Sequence, residues 1–220
     1  MNLTFLGHAC FLLDDGQHRI LIDPFLTGNP LAAAHADEID ADYILVTHGH
    51  GDHVGDTVAI ARRTGAVICC CVDLADGLFT DDDLQVITGN MGGRISLPFG
   101  TVKFVNAIHG SGVPGALANG FVLEIGGKTV YHAGDTALTS DMALLADEQI
   151  DAALLPIGDV YTMGPVDALR AVKLIQPKLV IPMHYNTMPP IVQDAEAFSA
   201  AVQAAGFAAK VLNPGDTTVL

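Results

Sequence analysis

Thr47-His48-Gly49-His50-Gly51-Asp52-His53 is the stretch of this sequence that predicts both its fold and its chemistry. It follows the apolar, strand-like run 43–46 and puts three histidines and one aspartate within six residues. Imidazole and carboxylate groups are good ligands for Zn, Mn or Fe. The two glycines let the backbone fold tightly enough for several side chains to converge. An HxHxDH pattern rarely arises by chance, so we interpret it as part of a metal site.

Further candidate ligands follow other strand-like runs. His109, Asp135 and His184 each stand where an apolar run ends. Strand ends that lead into loops are where sites are usually built. Together with the HxHxDH loop they make seven candidate metal ligands: His48, His50, Asp52, His53, His109, Asp135 and His184. Seven donors are enough for two metals with one bridging carboxylate and an open position for water.

Short strands dominate the first half of the chain, and helices alternate with strands in the second half. The apolar runs predict strands at 2–6, 10–13, 19–23, 43–47, 66–72, 94–98, 101–106, 121–125, 128–133, 152–156, 179–184 and 210–212. Helices are predicted at 56–64, 141–147, 165–175 and 194–205. This count predicts an α/β protein, a four-layer αββα sandwich of two mixed β-sheets flanked by helices. We expect residues 1–220 to form a single domain of this kind.

Composition narrows the function classes. Half of the 220 residues are hydrophobic, and 10 basic against 25 acidic residues give a formal net charge of -15. That charge disfavours a nucleic-acid partner unless bound cations reverse the local field. No apolar run approaches the roughly 18 residues of a membrane helix, and residues 2–6 do not read as a signal peptide. We therefore expect a cytoplasmic protein that acts on a small-molecule substrate, without a membrane partner.

Four cysteines do not form a recognisable metal or disulfide pattern. Cys69, Cys70 and Cys71 are consecutive, Cys10 stands alone, and no CxxC occurs. We interpret all four as small buried hydrophobic residues. Among the remaining histidines, His18 and His35 are expected to face solvent, and His132 to lie in the core or to support a ligand.

The order of these motifs resembles the metallo-β-lactamase superfamily over nearly the whole chain: HxHxDH, then a histidine, an aspartate and a histidine. The resemblance implies one metal held by His48, His50 and His109, a second held by Asp52, His53 and His184, and Asp135 as the bridge. It also implies that Asp23 orients a ligand imidazole. The alternative is that Asp23-Pro24 only starts a turn.

Four further motifs are similar to the ascorbate-phosphate lactonase-like branch of that superfamily. They are the segments 7–11 (GHACF), 131–136 (YHAGDT), 163–165 (MGP) and 182–186 (PMHYN). The branch contains a widespread group of bacterial and archaeal metal-dependent hydrolases. The chain resembles the phospholipase D-type enzymes of N-acyl-phosphatidylethanolamine metabolism more distantly.

The predicted function is a dinuclear metal-dependent hydrolase of a small ester, lactone or phosphoester. Its cofactors would be two divalent metal ions, zinc first, with manganese or iron as alternatives. Asp52 and Asp135 would align the attacking water, and His8 would protonate the leaving group. Tyr185 is the alternative proton donor, and a structural role for His8 stays open. Asp159 is a candidate for the pocket wall.

Other functions remain as alternatives. A phosphodiesterase or nuclease of the same superfamily is disfavoured by the acidic charge. A mononuclear iron sulfur dioxygenase uses a similar histidine-rich loop, so metal identity would discriminate it. A non-enzymatic metal module is disfavoured because structural zinc sites are closed and four-coordinate. Exposed apolar loops are compatible with a homo-oligomer.

Overall fold

A computed structural model describes residues 1–220 and contains two seven-stranded sheets. The first sheet has the order β14-β1-β2-β3-β4-β5-β6. Its strands are β1 (Asn2–Gly7), β2 (Cys10–Asp14), β3 (Arg19–Ile22), β4 (Tyr43–Leu45), β5 (Val67–Cys71), β6 (Val86–Gly89) and β14 (Thr217–Val219). Pairing is antiparallel from β14 to β3 and parallel from β3 to β6, so the sheet is mixed.

The second sheet repeats this mixed arrangement with the order β13-β12-β11-β10-β9-β8-β7. Its strands are β7 (Arg94–Leu97), β8 (Gly100–Asn106), β9 (Asn119–Ile125), β10 (Lys128–His132), β11 (Ala152–Pro156), β12 (Leu179–Met183) and β13 (Ala208–Ala209). Strands β7 to β10 pair antiparallel, and β10 to β13 pair parallel. The β9–β10 hairpin turns at Gly126 and Gly127, whose φ values of 57° and 72° are those of a type I′ turn.

Helices cover the sheets. They are α1 (Gly51–Val54), α2 (Thr57–Thr64), α3 (Val72–Leu78), α4 (Pro165–Ile175) and α5 (Ala195–Ala204), with 3-10 helices at Ser140–Glu148 and Pro189–Ile191. All five residues of β11 and all three of β4 are buried, so both faces of these strands are covered. One cluster of 57 buried apolar residues runs through both sheets. The predicted αββα sandwich is confirmed.

No helix in the structure is both long enough and apolar enough to cross a membrane. All four cysteines are buried and free, as predicted.

The structure differs from the predicted secondary structure in several details. Val72 begins α3 instead of ending β5, and Gly77 inside α3 weakened the helix signal. The last strand of the second sheet is Ala208–Ala209 rather than 210–212, because the chain then leaves to pair Thr217–Val219 with β1. Three successive carboxylates at 81–83 favour a solvated helix start, but in the structure they lie in a turn where Asp81 and Asp83 hold Arg62.

Candidate metal centre

The HxHxDH loop leaves the buried strand β4 and passes directly into α1. Gly49 makes this path possible, since a Cβ there would lie 2.9 Å from the Ser111 carbonyl oxygen and 2.7 Å from a Val113 methyl group. The backbone N–H of Gly49 donates to that same carbonyl oxygen. The loop is therefore packed tightly against the segment that follows His109.

Three histidines form the first group of donors. His48 Nε2 lies 2.9 Å from His50 Nδ1, which lies 3.3 Å from His109 Nε2. Nitrogens bound 2.0–2.1 Å from a tetrahedral zinc would lie about 3.3 Å apart. The three ring nitrogens thus have the spacing of ligands around one ion.

A second group of donors comprises His8, Asp52, His53 and His184, whose ligand atoms all lie within 4.8 Å of one another. His8 Nε2 is 3.1 Å and His184 Nε2 3.9 Å from Asp52 Oδ2. The group draws on the turn after β1, the helix α1 and the end of β12. His8 was predicted as a proton donor, and the structure brings it among the candidate ligands.

Asp135 lies between the two groups. Its Oδ2 atom is 3.1 Å from His184 Nε2 and 3.5 Å from His109 Nε2, and its Oδ1 atom is 3.3 Å from His53 Nε2. The carboxylate is buried, with 4 % of its side chain exposed. It is the one carboxylate that faces histidines of both groups at these distances.

Unpartnered buried atoms test whether a metal fits here. A buried polar atom without a hydrogen bond is costly, so each one needs an explanation. Six buried side-chain atoms lack such a partner, and four of them belong to this cluster: His53 Nε2, Asp135 Oδ1, His184 Nε2 and His184 Nδ1. Metal coordination would satisfy three of them, His53 Nε2, Asp135 Oδ1 and His184 Nε2. The two ring nitrogens face the Asp135 carboxylate at 3.3 Å and 3.1 Å. The donor set fits divalent cations.

Asp23 supports both donor groups, as predicted for it. Its Oδ2 atom accepts from His53 Nδ1 at 2.7 Å and from the Thr47 hydroxyl at 2.7 Å. Because Thr47 gives its proton to Asp23, His48 Nδ1 donates to the Thr47 oxygen at 3.0 Å. The Nδ1 atoms of both imidazoles are therefore engaged, which leaves Nε2 as the atom that would face a metal.

Burial and neighbouring charges shift the pKa values of the cluster. Burial, followed by the His53 ring, lowers the pKa of His48, which leaves a nitrogen lone pair available. Burial alone would raise the pKa of Asp135, but His53 and His184 outweigh it and hold that pKa well below its usual range. Burial lowers the pKa of His8 to about 4 against an opposing hydrogen bond to Asp52. Burial acts against a charge on His53, but Asp135 and Asp23 outweigh it and raise the pKa of His53 well above its usual range. The site thus presents ionised Asp52 and Asp135 beside a protonated His53 and neutral His8 and His48.

Three residues of this site have a strained backbone. His8, Asp23 and His184 have φ values of 60°, 47° and 55°, in the left-handed region that non-glycine residues seldom adopt. Each of these residues directly follows a strand of the sandwich. The kinks turn the three side chains from the strand direction towards the cluster.

The other residues that the sequence analysis singled out lie at the edge of the cluster, in the core or at the surface. Tyr185 is half-buried beside His184, whereas Asp159 is exposed and packs against Gly164 instead of joining the cluster. His132 is buried and donates to the Ala9 carbonyl oxygen, a supporting role in the core. His35 is exposed, but His18 is only half-exposed and packs near the Phe99 ring, contrary to prediction.

Sequence reasoning missed Thr187. Its hydroxyl lies 2.6 Å from His8 Nδ1, and the residue is buried. A lone threonine three positions after His184 carries no motif that would have identified this contact.

The αββα sandwich, with a cluster of histidines and aspartates at its strand ends, is typical of metal-dependent hydrolases that have the metallo-β-lactamase fold. A family model described as "Beta-lactamase superfamily domain" matches residues 2–184. The chain belongs to this superfamily, and within it to the UPF0173 metal-dependent hydrolases.

Individual relatives agree with this placement. The chain is 50% identical to a UPF0173 metal-dependent hydrolase of Symbiobacterium thermophilum, with 100% of both chains covered. It is 48% identical to another from Thermus thermophilus, over 98% of this chain and 97% of the relative. A solved metallo hydrolase from the archaeon Ignicoccus hospitalis superposes with a TM-score of 0.92 at 37% identity, covering 99% of this chain and 97% of that one. The chain is a metal-dependent hydrolase; the ascorbate-phosphate lactonase-like branch stays a prediction.

Proposed function

We propose that the chain is a dinuclear hydrolase of a small ester, lactone or phosphoester, with zinc as the first expected metal and manganese or iron as alternatives. One observation carries the proposal. Asp135 contacts histidines of two separate donor groups within 3.1 to 3.5 Å, and this contact supports a bridging role for its carboxylate.

Each donor group would hold one ion. His48, His50 and His109 would hold the first, Asp52, His53 and His184 would hold the second, and Asp135 would be shared. Divalent ions in such sites lower the pKa of water from 15.7 towards about 7 and polarise the substrate oxygen. The cluster is polar and buried, so its charged groups are held in place and partly shielded from water, as the stabilisation of a transition-state charge requires.

The remaining steps fall to the chain's own side chains. Asp52 and Asp135, both ionised, accept hydrogen bonds from the attacking water and so fix its orientation. His8 Nε2 lies 3.1 Å from Asp52 Oδ2, so a proton released by the attacking water can pass through Asp52 to His8 and from His8 to the leaving group. Thr187 holds the opposite ring nitrogen at 2.6 Å and fixes the ring in place.

The expected substrate is a small molecule. The formal net charge of -15 opposes a polyanion such as nucleic acid. We keep a cytoplasmic location and a homo-oligomeric assembly as expectations that fractionation and light scattering would test.

A hydrolysis panel tests the proposal. The zinc-loaded protein is assayed on p-nitrophenyl acetate, a γ-lactone and bis-nitrophenyl phosphate, before and after chelation. We expect turnover of at least one substrate, its loss on chelation and its return when zinc is restored. A fully loaded protein that hydrolyses none of the three would contradict the proposed reaction class.

A further inference from the structure

Three exposed apolar side chains belong to segments that carry or adjoin the candidate metal ligands. Solvent reaches the donor cluster at Asp52 and His109, which are only partly buried. Ile108 directly precedes His109 and is 52% exposed. Val160 and Tyr161, 66% and 54% exposed, lie at the tip of the loop between β11 and α4. We call Ile108, Val160 and Tyr161 the apolar rim.

A buried threonine next to Asp135 holds both parts of the apolar rim. Thr136 directly follows Asp135 and is fully buried. Its hydroxyl oxygen accepts from the backbone N–H of Ile108, and its carbonyl oxygen accepts from that of Met163, both at 3.0 Å. The Met163 carbonyl oxygen accepts in turn from the backbone N–H of Asp159 at 3.1 Å, which closes the loop tip. The rim is thus held by the backbone that positions the proposed bridging carboxylate.

The loop between β11 and α4 is also fixed beside His184. Strand β11 lies between β10 and β12 and runs parallel to both, so its loop leaves the sheet between Asp135 and His184. A Cβ at Gly158 would overlap with the His184 carbonyl oxygen, so only glycine permits this approach. The Gln193 side-chain amide donates to the Gly158 carbonyl oxygen at 3.3 Å. The loop therefore lies at the strand ends that carry two of the proposed ligands.

The tip of this loop has a strained backbone. Asp159 and Val160 have φ values of 61° and 55°, in the left-handed region, where a β-branched valine is an outlier. The Asp159 carboxylate accepts from the backbone N–H of Val160 at 2.8 Å and so supports this conformation. Neither Val160 nor Tyr161 packs against the apolar core. Strain that persists without a gain in packing is typical of a functional segment, such as one that binds a ligand.

Cationic side chains are missing from the segments that form the rim and the metal centre. None of the ten lysines and arginines of the chain lies in 47–53, 107–118, 133–139, 157–164 or 184–194. An anionic group of a substrate would lose hydration at the rim without gaining a partner side chain, which is costly. A neutral apolar group would instead gain from contact with the rim.

We propose that the apolar rim binds the part of the substrate next to the hydrolysed bond, as an uncharged and partly apolar group, with Tyr161 as its main contact. The inference rests on the proposed function, because the metal ions would hold the reacting carbonyl or phosphoryl group. Tyr161 offers the largest apolar surface of the rim and an aromatic face for stacking. The substrate class narrows to neutral esters and lactones that carry a hydrocarbon or aromatic substituent.

A binding titration tests the rim without any catalysis. The probes are acetohydroxamic acid and phenylacetohydroxamic acid, which share a zinc-binding hydroxamate and differ in a phenyl group. Each is titrated by calorimetry into the zinc-loaded protein. We expect the phenyl compound to bind about tenfold more tightly or better, since the ring contacts the rim. Equal affinities, or no binding of either compound, would overturn the proposal.

Variants of Tyr161 test which side chain makes the contact. We expect Tyr161→Ala to lose most of the phenyl preference and Tyr161→Phe, which keeps the ring, to retain it. Affinity for acetohydroxamic acid should stay unchanged in both, because the metal ligands are intact. Circular dichroism checks that the variants fold. An unchanged phenyl preference in Tyr161→Ala would overturn the role of Tyr161.

Val219→Ala is the control for removing an exposed apolar side chain. Val219 is 75% exposed on β14 and pairs with Asn2, at the opposite end of β1 from His8. We expect this variant to keep the full phenyl preference. A loss equal to that of Tyr161→Ala would overturn the assignment to the rim.

A charged probe tests the preference for a neutral group. 4-Carboxyphenylacetohydroxamic acid adds one negative charge to the ring, and we expect it to bind about tenfold more weakly or worse than the uncharged compound. Equal affinities would overturn the preference for a neutral substrate. If the phenyl preference holds but the hydrolysis panel shows no turnover, the proposed reaction fails while the rim remains a binding site. Turnover without a phenyl preference would overturn the rim and leave the reaction standing.

Discussion

Asp23 shows how a single residue organises two candidate metal sites. It accepts directly from His53 and, through the Thr47 hydroxyl, controls the proton on His48. His48 belongs to the first donor group and His53 to the second. One buried carboxylate therefore sets the ligand atom in both groups, and Thr47 is the relay for the first.

Thr47→Val removes that relay while keeping the side-chain shape. We expect the first metal to bind about 10-fold to 100-fold more weakly, the usual cost of losing a hydrogen bond to a ligand imidazole. A chelator competition titration measures this affinity. Thr218→Val, a buried threonine in β14 far from the donor groups, is the control and should leave it unchanged. Equal affinities in both variants would refute the relay.

Asp135→Ala and His50→Ala test the proposed ligands directly. Because each removes a donor without filling the core, we expect both variants to stay folded and to lose metal and activity. The shared position of Asp135 predicts that its loss weakens both sites. Elemental analysis alongside circular dichroism would check this, and two metals retained in the Asp135 variant would refute its bridging role.

His8→Ala tests the proton donor. We expect metal content to be spared and activity to fall by about 100-fold or more on alkyl esters, whose leaving groups need a proton. The loss on p-nitrophenyl esters should be much smaller, because nitrophenolate leaves without help. A loss of metal would show His8 to be a ligand instead, and equal losses on both ester types would refute the acid role.

At the level of secondary-structure elements, the connection between α1 and α2 fixes the position of the second donor group. Gly55 joins the two helices with φ of 42°, and a Cβ there would lie 2.2 Å from the Pro24 carbonyl oxygen. Pro24 follows Asp23, so this close approach holds α1, with Asp52 and His53, against the turn that carries Asp23.

Gly55→Ala should therefore cost about 3 kcal/mol or more in the free energy of unfolding and weaken the second metal site. Gly65→Ala is the matched control, since Gly65 also has a positive φ of 76° but has no atom within 4 Å of its would-be Cβ. Only left-handed strain of about 1–2 kcal/mol is expected there. Urea unfolding and metal analysis of both variants would decide, and equal effects would contradict the packing argument.

Helices and strands with a clear hydrophobic periodicity could be predicted from the sequence, whereas very short elements could not. The helix Pro165–Ile175 and the strand Ala152–Pro156 were predicted to the residue. Their amphipathic or apolar pattern identifies the element, and Pro or Gly marks its boundaries. The four-residue helix α1 was missed, since a single turn leaves no periodic pattern.

The residues of the candidate site also fall into those that the sequence could predict and those that it could not. Donors that follow buried strands could be predicted from sequence, as with Asp135 and His184. The contact of Thr187 with His8 and the left-handed backbone of His8 could not, because they depend on how β1 and β12 meet across the two sheets.

At the scale of the whole molecule, the sandwich brings distant parts of the chain to one edge. Each sheet changes from antiparallel to parallel pairing, and the residues of the candidate site follow the strands near that change. These are the supporting Asp23 and the HxHxDH loop in the first sheet, and Asp135 and His184 in the second. The candidate metal centre therefore draws on both sheets, and its candidate ligands span residues 8 to 184.

Metal content per chain tests the central claim most directly. The protein is purified without a metal-affinity tag and analysed for the amount and identity of bound metal, alongside the hydrolysis panel. The account predicts two divalent ions per chain, zinc or manganese, with turnover of an ester or lactone. One iron per chain without hydrolysis would contradict it and favour mononuclear oxidative chemistry on the same fold.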